Sequence, residues 1–409
     1  MPTRRRTLAA TAVLLAPLLV VPLTAPAASA AGSLASSIAV DWQRTAARTI
    51  YVERGTAPPL GSLYLSFTSL AVHDAAVEAQ RHGSHVAAAA VATAAHDVLR
   101  EYFALSGAAL DADLAKSLAM VPNGKKEKLG VAIGAAAADE MIASRVGDGR
   151  GDPQYVYRKT AALGIWPAVT MAGGMPLPGM ALPWLGFVDP VVDVDPVALD
   201  GPDHYTTPAF AADYEEARTL GSTAGTSRTQ AQTDVAVFFS NNPMLMYRNA
   251  LCDHLGTEPL GLLPTTRLFA RIDAATATTF IESWRMKYEI GFWRPDQAVD
   301  AALTDGNPGT HAHPVDWVPL VTNPAYSDYT SGHGSATSPF AEVLRQTLGD
   351  DTALLLKAGA LQRPYATLSA LEHDALHARI WGGLHFRDSM EDTYHLGHAT
   401  ADQVMKAVK

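Results

Sequence analysis

From His85 to Phe103 the chain reads HVAAAAVATAAHDVLREYF, an alanine-dominated run with its larger apolar residues at helical spacing. Alanine loses no side-chain entropy in a helix and fills the face of a sheet poorly, so a chain built on such runs is committed to packed helices. Two further stretches carry the same signature, KKEKLGVAIGAAAADEMIASRV (Lys125 to Val146) and TTRLFARIDAATATTFIESWRMKYEI (Thr265 to Ile290). No period-two series marks a strand. The expected fold class is therefore all-α, a large helical bundle. Residues Gly151 to about Tyr205 break the pattern, because Pro, Gly and Asp punctuate them too often for a long helix. Their Trp, Phe and Val content predicts an ordered loop excursion packed over the bundle rather than a polar linker.

The first thirty residues read as an export signal. Arg4, Arg5 and Arg6 precede the apolar run Leu8 to Leu23, and Ala28-Ser29-Ala30 supplies small residues for cleavage. Pro17 and Pro22 interrupt the run, which argues against a retained membrane span. Residues 1–30 are thus expected to be removed, leaving one all-α domain over 31–409 in a secreted protein; the Sec and twin-arginine routes both remain open. The chain holds 31 basic and 41 acidic residues, and losing the three signal arginines moves its net charge from −10 to −13. A balance this acidic excludes nucleic acid as a partner and makes any local cluster of Lys and Arg informative. With a single cysteine, Cys252, no internal disulfide framework can form. Stability has to come from the core, which a chain of 409 residues can make large.

Three short blocks carry chemistry. In WRMKYEIGFWRP, Lys287 and Arg294 stand seven apart, which on a continuous helix returns both to one face, with the helix stopping where Pro295 constrains Arg294. In YTSGHGSAT, the residues Ser331, Gly332 and His333 precede the helical run ATSPFAEVLRQTL and are expected at a helix N-terminus. Unpaired N–H groups and the positive dipole end favour an anion there. In ARIWGGLHFRD, Arg379 and His385 flank Gly382 and Gly383; a helix ending at the glycines would let both side chains point into one pocket. Taken singly, each block has a plainer explanation: an exposed basic pair, an N-cap beside a surface histidine, and a helix C-terminus with a core histidine.

Together and in this order, Lys-x6-Arg-Pro, Ser-Gly-His and Arg-x5-His resemble the anion site of the vanadium-dependent haloperoxidase and type 2 phosphatidic acid phosphatase superfamily. The stretches LYLSFTSLAVHDAAVEAQ, VATAAHDVLREYF and TSRTQAQTDVAVFF resemble upstream helices of its bacterial exported haloperoxidase-like branch. There are departures: Thr330 stands where a proline usually precedes Ser-Gly-His, and Ala378 where a serine often precedes the arginine. The family's carboxylate commonly falls four residues after the last histidine, where this chain has Ser389, with Asp388 one position earlier. From spacing alone the partners behind Arg379 and His385 stay unassigned.

The resemblance implies that Lys287, Arg294 and Arg379 neutralise the oxygens of vanadate, with Ser331 and the Gly332 amide as further donors. It assigns His385 as the one protein ligand to the metal and His333 as the acid–base group. The implied reaction is oxidation of halide by hydrogen peroxide to hypohalous acid, and a freely released product needs no organic pocket, although a small organic acceptor is compatible. Trp284 and Tyr326 match positions on the halide side, and a phenol at 326 leans the expectation toward bromide and iodide over chloride. Phosphate should compete for the same donors. The alternative is a secreted acid phosphatase working through a phosphohistidine at His385. A third reading is a zinc site at HDALH, His373 to His377, whose Asp is short for the glutamate such sites use; a fourth is an oxyanion-binding protein without turnover.

Overall fold

The computed structural model describes residues 33–168, 170–172, 175–177 and 179–409. The expected export signal of residues 1–30 lies outside them. Among the described residues the chain forms thirteen α-helices and two small hairpins. The first half runs α1 (Leu34–Ala47), α2 (Pro58–Ala79), α3 (Ser84–Tyr102), α4 (Gly107–Leu118) and α5 (Lys125–Ser144). After a long irregular stretch come α6 (Pro208–Leu220), α7 (Gln230–Phe238), α8 (Pro243–Thr257) and the 28-residue α9 (Leu262–Glu289). The second half holds α10 (Pro295–Ala301), α11 (Gly332–Leu348), α12 (Leu368–Trp381) and α13 (Arg387–Ala407). The architecture is all-α, as expected from the alanine-rich runs.

Small residues explain how closely the helices approach. Along α5, Gly130 and Gly134 face the α3 backbone, where a Cβ on either would overlap the Val86 or Ala90 carbonyl. In the second half Gly397 of α13 meets Ser338 and Pro339 of α11 in the same way. Helix α9 is buried along most of its length and packs against α1 and α2 on one side and α11 and α13 on the other. One apolar cluster accordingly runs from Ala35 to Val408. A smaller aromatic cluster of Phe210, Tyr214, Phe292, Trp293, Trp317, Tyr329 and Phe386 packs the loops that carry the three chemical blocks.

The irregular stretch between α5 and α6 is ordered against the bundle, as its composition predicts. Asp148 is clasped by Arg145 and Arg150, Tyr155 stacks on Phe187 with ring centroids 3.9 Å apart, and Trp166, Leu185 and Val188 are buried. It contains the hairpin of β1 (Thr170–Ala172) and β2 (Met175–Leu177). A second hairpin, β3 (Leu354–Ala358) and β4 (Leu361–Tyr365), packs on α8. The lack of a period-two series predicts no strands, and these two short hairpins depart from it. The second hairpin shows why: only β3 alternates buried and exposed residues, whereas β4 is largely exposed and holds Pro364, so no period-two signal survives. No described helix is long and apolar enough to cross a membrane.

Candidate active site

The first block folds differently from its spacing. Helix α9 ends at Glu289, and Gly291 follows at φ +65°. A Cβ there would collide with Tyr157 and Lys159 of the irregular stretch, so the turn is glycine-specific. Arg294 is consequently the N-cap of α10, with Pro295 at its first position, and does not end the α9 helix. Lys287 and Arg294 still converge, because both donate to one carbonyl, that of Ser327, from Nζ at 2.8 Å and from one guanidinium nitrogen at 3.3 Å. The convergence comes from the loop before α11 and owes nothing to a shared helix face.

The second block forms as expected. Ser331 is the N-cap of α11, its Oγ accepting from the Gly334 N–H at 3.3 Å, and its own N–H donates to Thr393 Oγ1 of α13 at 2.7 Å. Gly332 and His333 begin the helix, where their N–H groups have no intrahelical acceptor. Gly332 lies close under the aromatic pair: a Cβ would stand 3.3 Å from the Trp284 ring, a tight contact, and 3.4 Å from the Tyr326 hydroxyl. The Trp284 and Tyr326 rings are 4.9 Å apart, and Trp284 is fixed from behind by Nε1 donating to the Ala181 carbonyl at 3.1 Å. Tyr326 in turn faces the Lys287 ammonium at 4.8 Å and the Arg294 guanidinium at 5.1 Å.

The third block also turns as predicted. Helix α12 is capped by Gly382, Gly383 follows at φ +75°, and the Leu384 N–H reaches back to the Arg379 carbonyl at 3.0 Å. Arg294 donates to the Leu384 carbonyl at 2.6 Å, which ties this turn to the first block. Arg379 donates to the Phe239 carbonyl at 3.2 Å, while its Nε is buried without a partner.

Two residues that spacing left unassigned now have neighbours. His385 Nδ1 lies 2.7 Å from Asp328 Oδ1, with both side chains buried. Asp388 points elsewhere: its N–H donates to Asp213, and its carboxylate accepts from the Asp203 N–H at 3.1 Å. Ser389 donates to the Asp328 carbonyl at 3.3 Å. Asp328 and His385 are 57 residues apart, so no motif spacing could have joined them.

Burial governs the charges. Lys287, Arg294 and Arg379 are 0%, 1% and 3% exposed, and none forms an ion pair with a carboxylate among the described residues. Burial pushes the Lys287 ammonium well below its usual value, and the Arg294 charge pushes the same way. Burial lowers Arg379 to about 10, which leaves it charged at neutral pH. Asp328 is raised by burial to about 7, against the pull of Arg294 and Lys287. Burial followed by the surrounding cations drives both His385 and His333 well below the ordinary imidazole range. His333 is partly exposed as a residue, yet its Nε2 is covered and unpartnered. The arrangement is a buried cationic cradle with unused donors and two neutral imidazoles, fitted for a small oxyanion.

The zinc reading finds little support in placement. His373 is exposed, its ring stacks on that of His377 at 4.2 Å, and His377 Nδ1 is engaged by the His373 carbonyl at 2.7 Å. Among the described residues no group of three or more His, Cys, Asp or Glu side chains is placed to hold a metal ion.

The helical bundle that carries this cradle is similar in fold to solved vanadium haloperoxidases, and its second half matches a family model. Residues 267–409 match the family described as VCPO second helical-bundle domain. The fold is similar to a bacterial vanadium-dependent iodoperoxidase, with a TM-score of 0.73 at 17% identity over 91% of this chain and 97% of that one. It is also similar to a bacterial vanadium-dependent chloroperoxidase: the apo form gives 0.68 at 15% identity over 86% and 93%, and the holo form 0.67 at 16% over 88% and 93%. No curated protein matches the sequence.

Proposed function

We propose that the protein binds vanadate in this cradle and oxidises halide with hydrogen peroxide, releasing hypohalous acid. One observation carries the reading: three cations are buried together and none forms an ion pair with a carboxylate among the described residues, the buried Asp328 acting on Lys287 and Arg294 only from further off. Burying such charge is costly unless a bound anion offsets it. Lys287, Arg294 and Arg379 bind and orient the anion's oxygens, and the Ser331 hydroxyl with the Gly332 N–H adds neutral donors. His385 turns Nδ1 to Asp328, which leaves Nε2 as the single metal ligand. His333 holds or releases a proton at Nε2 as peroxide enters. Vanadate, when bound, supplies a pentavalent Lewis-acid centre that activates hydrogen peroxide toward halide.

Trp284 and Tyr326 form the aromatic wall beside Gly332, and we assign the halide to that side. Bromide and iodide are the expected halides, with chloride poor, because the wall carries a phenol. The named activities of the structural neighbours, iodoperoxidase and chloroperoxidase, support a haloperoxidase without choosing between halides. The amino-terminal signal makes secretion part of the reading.

The decisive experiment adds orthovanadate to protein stripped of it. Halide-dependent peroxidase activity should appear with vanadate and fall as phosphate is added. Activity that tracks haem, iron or zinc, or phosphomonoester hydrolysis in its place, would reject the assignment.

A further inference from the structure

We infer that Asp328 is the positioning residue for His385, holding Nε2 toward the bound group; this rests on the vanadate reading above. With Asp328 ionised, the buried 2.7 Å contact between its Oδ1 and His385 Nδ1 favours the ring proton on Nδ1. A carboxylate that accepts from Nδ1–H leaves the Nε2 lone pair free and makes it a better donor to a metal. The ring is held from the same segment that fixes the cations. Lys287 Nζ donates to the Ser327 and Asp328 carbonyls at 2.8 and 2.9 Å, and Arg294 Nε donates to the Tyr326 carbonyl at 2.7 Å. Residues 326–328 therefore set both the cationic cradle and the imidazole from one short stretch. Helix α13 contributes no carboxylate to this job, since the residue four after His385 is Ser389, whose hydroxyl donates to the Asp328 carbonyl, and Asp388 is engaged by Asp203 and Asp213. The second oxygen of Asp328 is buried without a partner, so the residue is poorly explained as a structural hydrogen-bonding centre.

The test compares two anions. Vanadate can form a bond to His385, whereas phosphate held by the same donors relies on charge and hydrogen bonds. Removing the Asp328 charge makes the cradle more positive, which on electrostatics alone tightens both. Positioning predicts a split in Asp328→Asn: the Kd for vanadate rises about 10- to 100-fold, the range for groups that orient metal-bound histidines, while phosphate binds as before or more tightly. Titration calorimetry on vanadate-free protein reads both constants. If both anions weaken together, or vanadate binding is unchanged or tighter, the inference is overturned. A second measurement stands apart from the function. Nitrogen NMR of the histidine rings in vanadate-free protein should find His385 protonated at Nδ1 in the parent and a larger Nε2-protonated fraction in Asp328→Leu. An unchanged tautomer overturns the inference too. Failure of the parent to bind vanadate, with the tautomer result as expected, would instead count against the vanadate reading and leave the hold of Asp328 on His385 intact.

Discussion

Helix α9 carries buried charge at two places, and the two are resolved in opposite ways. Asp273, in its middle, is fully buried and meets Arg248 of α8 in an ion pair that Ser69 and Gln43 complete, the latter accepting from Arg248 at 2.7 Å. Lys287, fourteen residues on and so about 21 Å along the axis, is equally buried, and its ammonium donates only to backbone carbonyls, with the Trp284 and Tyr326 rings beside it. The Arg294 and Arg379 side chains likewise donate only to backbone carbonyls. The first centre is closed: its charges cancel within the protein, and it helps to fix α1, α2, α8 and α9 in register. The second is open, because it keeps a donor, Arg379 Nε, that nothing among the described residues satisfies. A buried cation held by carbonyls alone is a poor contributor to stability and a good contributor to anion binding, so the contrast separates what holds the fold from what serves the reaction.

The largest expected effect breaks the open centre. His385→Ala should abolish vanadium retention, whereas His333→Ala should retain most of the anion affinity and lose turnover, by 100-fold or more, the order of effect for a group that moves a proton in the reaction. Vanadium content after gel filtration, measured beside activity, separates the two. Equal loss of vanadium in both variants would end the division of roles.

Next comes a direct contrast of the two centres. Asp273→Ala strands Arg248 in the core and should cost about 3–5 kcal/mol in denaturant unfolding. Arg379→Met, which removes one of three mutually repelling buried cations, should leave the anion-free protein as stable or more stable while weakening vanadate and phosphate alike. If Arg379→Met is the more destabilising of the two, the distinction between a closed and an open centre is wrong.

The three chemical blocks were legible in the sequence to different depths. Ser331 as an N-cap and the turn at Gly382-Gly383 followed from local chemistry, and the structure agrees. The alanine-rich helices were legible too, since small residues at helical spacing leave few alternatives. The shared helix face of Lys287 and Arg294 was not there to be read. Gly291 turns the chain at φ +65° just past the helix end, and Tyr157 and Lys159, more than 130 residues away, occupy the space a Cβ would need, so a local stop outweighs the periodicity. Asp328 escaped for a related reason: its link to His385 exists only once the loop before α11 lies against the turn after α12. Spacing reports what one element does, and the partner behind a catalytic group commonly comes from another.

A subtler difference between the centres is their dependence on pH. Burial depresses Lys287 in the anion-free site, so between its folded value and the ordinary 10.5 the unfolded chain binds more protons than the native one. The sign follows: Lys287 makes the anion-free protein more stable as pH rises through that window. An anion beside the ammonium restores its pKa, so binding takes up roughly a proton at most and the affinity falls as pH rises. Calorimetry in two buffers of different ionisation enthalpy would detect the uptake, and Lys287→Met should remove it. Arg248 and Asp273 neutralise each other and should behave alike with and without phosphate. Uptake that survives in Lys287→Met would place the proton on another group.

The smallest expected effect concerns the aromatic wall. The Tyr326 ring faces two cations and presents its hydroxyl toward Gly332, beside the ring of Trp284. Tyr326→Phe keeps the ring and its attraction for Lys287 and Arg294, so vanadate affinity should move little. What changes is the polarity of the surface a halide meets and the hydrogen bonding open to His333. If the phenol is what disfavours chloride, the chloride-to-bromide ratio of kcat/KM should rise in the variant while the bromide value stays within a few fold of the parent. An unchanged ratio would move the search for halide preference away from the wall and toward His333 and the Phe239 carbonyl that holds Arg379.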